Sequence, residues 1–554
     1  MAAIKLFTFK GEVPSFAPHL LPNEASTLAR DCQFDGGELN PIKKSLSTGD
    51  SVPSNTETLF RYEDQHWFSW SGDVDAIKSP IARDQWRRVY WTDGVYPKVT
   101  YNTIFNGSGR LPAASYRLGV PAPANAPGIK SFTPSIDPED EVTIFYVLTY
   151  STGVGEEGMP GPTSVEVRCF PVGVEQEQLP PDPHNPPPVP VTELSKVVLT
   201  LQQPLTNISN INISNINRIN IYRTTATAGY SEFLKVASVP IATAEYTDSI
   251  PDSSLGGILE TETFAMPPDE MKGLCVMANG ICAGFVENEV LFSESYLPYA
   301  WPEEYQLSIE EDVVAIEPIG TSLVVGTTGD PYLFGGVSPG NIANQRLEIA
   351  QACASKNSMC NIGMAVLYAS PDGIVGVAPD GVRMMTDGVI SPRQWRELVD
   401  PSTIRAFRYE GKYVATHSKG AFIFDPVTMD LRQLSETIGT AYTDPTDESL
   451  YFLVGGAVHK FQGGTDSLEL TWRSKEFVSI SKSFSCVRID ADDINLVSFR
   501  YLVDGKEVLN RSAGNVKATF TLPSVRGDSC QFELSSKSSI KTVRVATSKQ
   551  ELKE

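Results

Sequence analysis

The sequence predicts a mostly β molecule: a β-propeller-like body, a β-sandwich inserted into it, and a C-terminal β domain. Two observations carry this expectation. Long amphipathic-helix patterns are almost absent. In their place, short runs of β-branched and aromatic residues recur between tight turn dipeptides. Asp372-Gly373, Asp380-Gly381 and Asp387-Gly388 punctuate Val366-Leu-Tyr-Ala, Ile374-Val-Gly-Val and Val382-Arg-Met-Met. Asp-Gly favours the two-residue hairpin turn, whose central residues both need positive φ. Strands joined this closely form antiparallel meanders of the kind that build propeller blades.

The elements follow in chain order. Residues 1–55 read as an N-terminal extended segment, with a short helix expected over 20–32 and Asn23 as its cap after Pro22. Residues 56–119 hold the first propeller strands, Thr58-Leu-Phe-Arg-Tyr, His66-Trp-Phe-Ser-Trp and Arg88-Val-Tyr-Trp-Thr, with a turn at Asp93-Gly94. Residues 120–262 differ. They open on a Pro/Ala-rich stretch and contain strand-like Val142-Thr-Ile-Phe-Tyr-Val-Leu-Thr-Tyr, Lys196-Val-Val-Leu-Thr-Leu and Arg218-Ile-Asn-Ile-Tyr-Arg. Seven prolines within 180–190 leave few backbone donors and predict an extended, semi-rigid surface loop. This stretch reads as the inserted sandwich. Residues 263–465 supply the remaining blades, including Lys412-Tyr-Val-Ala-Thr, Ala421-Phe-Ile-Phe, Leu450-Tyr-Phe-Leu-Val and Ala457-Val-His-Lys-Phe, with single helical turns expected at 393–399 and 401–406. Residues 466–554 form the C-terminal β domain.

Composition narrows the function. At 554 residues, 41% hydrophobic and 20% charged, the chain can bury a sizeable core, which excludes a wholly disordered protein. No run approaches the roughly 18 apolar residues that span a bilayer, and the N-terminus lacks the apolar stretch of a signal peptide. A soluble protein with no membrane span is expected. The net charge of −22 argues against a protein that grips a nucleic-acid backbone. The charge is uneven: residues 260–320 carry thirteen carboxylates against Lys272 alone, a net of −12, whereas residues 466–554 are +2. Eight cysteines without a Cys-x-x-Cys and five scattered histidines offer no zinc spacing, so buried reduced thiols and no metal are expected.

Motifs suggestive of catalysis fail on context. Gly153-Val-Gly-Glu-Glu-Gly158 matches a dinucleotide fingerprint, but two glutamates sit where phosphate would lie and Met159-Pro-Gly-Pro follows instead of a helix. Gly336-Val-Ser338-Pro339-Gly340 matches a nucleophile elbow, yet Pro339 has no N–H for an oxyanion hole. Glu303/Glu304 and Glu310/Glu311/Asp312 are candidate carboxylate pairs for glycoside hydrolysis, although charge runs are more often solvated faces. Asp490-Ala-Asp492-Asp493 lacks the glycine and distal glutamate of a calcium loop. Trp67, Trp70, Trp86 and Trp91 read as blade core, since only Arg83, Arg87 and Arg88 could supply a nucleic-acid groove around them.

Several segments resemble the tail nozzle (distal tail tubular) proteins of short-tailed bacteriophages. Leu20-Leu-Pro-Asn-Glu-Ala, Ala29-Arg-Asp-Cys and Asp35-Gly-Gly-Glu-Leu-Asn-Pro look like their opening. Tyr146-Val-Leu-Thr-Tyr with Gly155-Glu-Glu-Gly-Met-Pro-Gly-Pro, Ile221-Tyr-Arg-Thr and Tyr246-Thr-Asp is similar to their fibronectin type III-like insertion. Val290-Leu-Phe-Ser-Glu-Ser, Ala300-Trp-Pro, Tyr368-Ala-Ser-Pro-Asp-Gly-Ile-Val and Thr471-Trp-Arg-Ser-Lys-Glu-Phe resemble their propeller and C-terminal segments. The resemblance implies a structural virion protein, made in the bacterial host cytoplasm and carried in the tail. It would be a homo-oligomer, typically a hexamer, on the tail adaptor ring with tail fibres or spikes nearby. Double-stranded DNA would pass through it during ejection. It implies no enzymatic activity and no cofactor. An acidic wall would suit a conduit, because carboxylates repel the DNA backbone instead of binding it. Glu287, Glu289, Glu303, Glu304, Glu310, Glu311 and Asp312 are therefore the candidates for the DNA path or a subunit junction beside it. The competing expectation is a tail-associated carbohydrate-binding or depolymerising propeller.

Overall fold

Strands account for most of the regular structure, and the reason is local: short β-branched and aromatic runs, each ended within a few residues by a turn. A computed structural model describes residues 3–63, 66–177, 192–204, 215–225, 232–478 and 483–552. Among them the single α-helix is Pro392–Leu398, started by a capping box in which Ser391 and Gln394 satisfy each other's backbone N–H groups. The Pro-rich stretch 180–190 and the two Asn-Ile-Ser triplets at 207 and 212 lie outside the described residues.

The chain packs as two units. The first comprises Met1–Asp73, Ile309–Gly336 and Ile342–Glu554; the second comprises Val74–Ser308 and Val337–Asn341. The sequence-derived bounds at 119/120 and 262/263 fall inside the second unit, and 465/466 falls inside the first.

In the first unit, antiparallel meanders of propeller-blade type succeed one another. One runs through Val313–Ile319, Ser322–Thr327, Tyr332–Gly335 and Ala343–Arg346. Cys360–Asn361, Val366–Ser370, Gly373–Ala378 and Gly381–Met384 form the next. In a third sheet, Ala441–Thr443, Leu450–Val454 and Ala457–Lys460 are completed by the N-terminal strand Leu46–Ser51, so that distant parts of the chain share it. The meander Arg405–Tyr409, Lys412–His417, Gly420–Asp425 and Asp430–Leu434 continues through Ser26–Arg30 into Leu470–Ser474, Ser529–Ser536, Val497–Val503 and Lys506–Arg511. A separate sheet pairs Ala3–Leu6, Ile540–Ala546, Cys486–Ala491 and Thr519–Thr521. The C-terminal region therefore holds a strand from the very start of the chain, and Ile4, Leu6 and Phe9 share a core with Trp472, Phe499 and Phe532.

Two expectations need correction here. The segment 20–32 is not a helix: Ser26–Arg30 is a strand lying between Leu470–Ser474 and Asp430–Leu434. Backbone partners on both sides outweigh a modest helix propensity. Nor do two of the three Asp-Gly dipeptides occupy turn centres, although Asp387-Gly388 does, in the turn closed by the Val389 N–H on the Thr386 carbonyl at 3.0 Å. Ser370 pairs with Gly373 and Ala378 with Gly381, so the two-residue loops are Pro371-Asp372 and Pro379-Asp380. Proline cannot take positive φ, which excludes the turn type inferred from sequence. Gly373 instead begins the next strand, where a Cβ would stand 2.1 Å from the Thr386 hydroxyl oxygen.

In the second unit, one meander is Asp75–Lys78, Val89–Thr92, Lys98–Thr100 and Tyr116–Arg117; another is Lys272–Val276, Cys282–Val286, Glu289–Phe292 and Gln306–Ser308. Between them in sequence, Tyr146–Thr152, Ile216–Thr224 and Phe233–Pro240 form one sheet, and Gly128–Phe132, Val197–Thr200 and Glu245–Asp248 another. Tyr146–Thr152 is buried along its whole length. One face sends Tyr146, Leu148 and Tyr150 into a core with Leu199, Ile219 and Ile221, while Val147 meets Tyr222 and Leu259 on the other. A strand covered on both faces reads as continuous apolar sequence without alternation.

Candidate functional site

The carboxylates singled out from sequence fall on turns and strand ends, in both units. In the second unit Glu287, with φ 52°, occupies the hairpin between Cys282–Val286 and Glu289–Phe292, and it is exposed. Glu289 is exposed at the start of its strand, and its carboxylate accepts a 3.4 Å hydrogen bond from the Ser308 hydroxyl. Glu303 and Glu304 sit exposed in the one-turn 3-10 helix Glu303–Tyr305, directly after Pro302. Glu287, Glu303, Glu304 and Asp312 enter no ion pair among the described residues.

In the first unit the structure brings Glu310 and Glu311 together on a single cation. Arg346, at the end of Ala343–Arg346, lies 2.6 Å from Glu310, 3.3 Å from Glu311 and 2.9 Å from Asp330. The Tyr332 hydroxyl donates to Glu311 at 2.7 Å. Arg346 thus offsets part of the local repulsion among three carboxylates. Glu310 remains three-quarters exposed and Asp312 is exposed. Both carboxyls of the candidate hydrolytic pair Glu310/Glu311 are engaged by one guanidinium, whereas the Asp312 backbone carbonyl accepts from the Thr328 N–H.

A second place has no signature in the sequence. A cleft of about 440 Å³ in the first unit is lined by Glu12, Arg30, Trp395, His417, Lys419 and Phe422, among others. Glu12 is positioned by its backbone, which exchanges hydrogen bonds with Leu431. Its carboxylate accepts from the Ala29 N–H at 2.8 Å and from Gln433 at 3.4 Å. Burial outweighs these bonds and pushes its pKa up to about 7. His417 is held below its usual pKa by burial and then by the charge of Lys419. Lys419 donates at 2.9 Å to the Glu397 carbonyl near the C-terminus of Pro392–Leu398, a favourable place for a cation. The lining of the cleft therefore includes a carboxyl raised by burial and a histidine lowered by it. Sequence reading missed the cleft because Glu12 meets Leu431 and Gln433 across more than 400 positions.

Among the described residues no group of three or more His, Cys, Asp or Glu is arranged to hold a metal ion. None of the eight cysteines forms a disulfide; seven are buried and Cys360 is half-buried. Burial raises the Cys282 and Cys353 thiols to about 12.

No family model and no curated protein sequence matches this chain. Among solved structures, it is similar over 59% of its length to the extracellular domain of the putative one-component system BT4673 from B. thetaiotaomicron (8% identity, TM-score 0.26). The chain spans 44% of that protein's length. The WD40 domain of Neurospora crassa Pan2 is similar over 50% of this chain and 88% of its own (6% identity, TM-score 0.25). PorZ, a surface component of the type-IX secretion system of Porphyromonas gingivalis, is similar over 91% of this chain and 77% of its own (9% identity, TM-score 0.25). These likenesses assign neither family nor activity.

Proposed function

We propose that this chain is a structural subunit of a phage tail nozzle. In this reading, copies of it form a ring at the distal end of the tail tube, on an adaptor ring and near fibres or spikes, and the ring conducts and gates double-stranded DNA during ejection. The observation that carries the reading is the exposure of the acidic stretch. Glu287, Glu289, Glu303, Glu304, Glu310 and Asp312 point their charge outward from turns and strand ends. DNA carries one negative charge per roughly 1.7 Å of axis, and a basic wall would bind it by releasing counterions. Exposed carboxylates repel the duplex and keep water and ions between wall and DNA, so the genome can slide. The work is mechanical, and neither a catalytic group nor a cofactor enters it.

Electron microscopy of intact particles containing the protein tests the proposal. A ring with a central channel at the tail end is the expected result. A lone peripheral monomer in the virion overturns it, as does turnover of host polysaccharide by the purified chain.

A further inference from the structure

The sheet formed by Ala3–Leu6, Ile540–Ala546, Cys486–Ala491 and Thr519–Thr521 carries an unusual rung. Lys5 stands directly opposite Arg544, Arg544 directly opposite Arg488, and Arg488 opposite Thr519. Neighbouring strands lie about 4.8 Å apart, and residues in register project from the same face. Three cations thus stand side by side on three adjacent strands. The rungs on either side, Ile4–Val545–Val487–Phe520 and Leu6–Val543–Ile489, turn inward to the core, which fixes this one outward. Like charges directly opposite one another destabilise a sheet. An acidic surface laid over the row would offset that cost.

Among the described residues no ion pair does so: Lys5, Arg488 and Arg544 form none. Lys5 and Arg488 are exposed. Arg544 donates to the Leu552 carbonyl at 3.0 Å and lies 5.2 Å from the Phe7 ring, while its Nε reaches no acceptor. The Glu551 carboxylate is occupied by Thr547 and Ser548. Along the strand of Arg488, the next residue on this face is Asp490, opposite Thr542. Phe7, half-exposed beneath Arg544, adds an aromatic to the patch. Aromatic and arginine side chains together are the usual anchors of an interface.

We infer that this face docks the acidic stretch of a second copy of the chain. The complementarity is local and lies on one sequence: residues 260–320 carry −12, and the rung sets Lys5, Arg544 and Arg488 side by side on one face. Glu303 and Glu304, adjacent on an exposed one-turn helix and unpaired among the described residues, are the groups assigned to meet Lys5 and Arg488. The inference depends on the nozzle reading only in requiring neighbouring copies.

Sedimentation velocity on the full chain tests it. Wild-type protein should self-associate at about 0.05 M salt and less so at about 0.5 M. K5E/R488E replaces two exposed side chains that make no hydrogen bond or ion pair among the described residues, and a melting temperature at or above that of the wild type would show that it folds. Its self-association should weaken roughly tenfold or more at low salt. E303K/E304K should weaken alike, and mixing the two variants should restore association, since each reversed face then meets its complement. Undiminished association of K5E/R488E, or no recovery on mixing, overturns the inference. So does loss of binding to a short DNA duplex in K5E/R488E with self-association intact, which would make nucleic acid the occupant. A tail-end ring that K5E/R488E still forms unchanged overturns the docking and leaves the nozzle reading standing. A wild-type monomer at the virion periphery overturns the nozzle reading itself.

Discussion

Glu12 shows how a single residue acquires behaviour that its type does not announce. Its pKa is raised from 4.5 to about 7 because burial disfavours the charged form more than Ala29, Gln433 and Arg30 favour it. The folded state then binds a proton more tightly than the unfolded chain between these two values. Stability attached to this group is therefore present below about pH 4.5, falls as pH rises, and is fully lost above about pH 7. Glu12→Gln should abolish that part of the dependence, and the loss between pH 5 and pH 7.5 in urea titrations should shrink by about 1–2 kcal/mol. Arg223 presents the opposite case. It is fully buried, 2.9 Å from Asp248, which also accepts from the Tyr146 hydroxyl at 2.8 Å. Arg223→Met leaves Asp248 buried without its cation and should destabilise the second unit by about 3–5 kcal/mol, read as a lowered melting temperature.

Elements depend on close approach and on partners outside themselves. The hairpin from Val366–Ser370 to Gly373–Ala378 leaves no room at Gly373, where a methyl group would collide with Thr386, whose hydroxyl accepts from the Ile374 N–H at 3.0 Å. Gly373→Ala should cost about 2–4 kcal/mol in thermal or chemical unfolding. The strand Ala3–Leu6 depends on Ile540–Ala546, more than 500 residues away. Deleting residues 1–9 removes Ile4, Leu6 and Phe9 from the C-terminal core. At about 1.5–3 kcal/mol for each buried side chain, the loss should reach about 5 kcal/mol or more. Limited proteolysis should then cleave within 483–552 faster in the truncated chain than in the intact one. The meander strands were legible because turn residues and apolar runs are local signals. The helical turn expected at 393–399 corresponds to the helix Pro392–Leu398, whose cap Ser391 and first residue Pro392 are adjacent in sequence. Ser26–Arg30 was not legible, because its partners lie elsewhere in the chain.

At the scale of the whole molecule, the distribution of charge matters more than its sum. If the acidic stretch lines the DNA path, reversing Glu287 and Glu289, which the proposed subunit contact does not use, to lysine should slow genome release from isolated virions. The slowing should be greatest at low salt, where screening is weakest. Ejection kinetics at two ionic strengths read this directly. Release that is unaltered and insensitive to salt, from particles that assemble correctly, would show that these carboxylates face outward and serve solubility instead.

The sequence by itself determined the β class, the order of most strands, the buried thiols and the position of the acidic excess. Each follows from neighbouring residues: periodicity, turn chemistry, composition. Only the tertiary structure decided that residues 26–30 form a strand, that the first residues complete a C-terminal sheet, and that Arg346 gathers Glu310, Glu311 and Asp330 while Glu303 and Glu304 stay unpaired. It also decided that Lys5, Arg544 and Arg488 share one rung. Register between distant strands sets all of these, and register is fixed by which faces must be buried and which backbone groups must find partners. Neither requirement can be evaluated until the chain has folded back on itself.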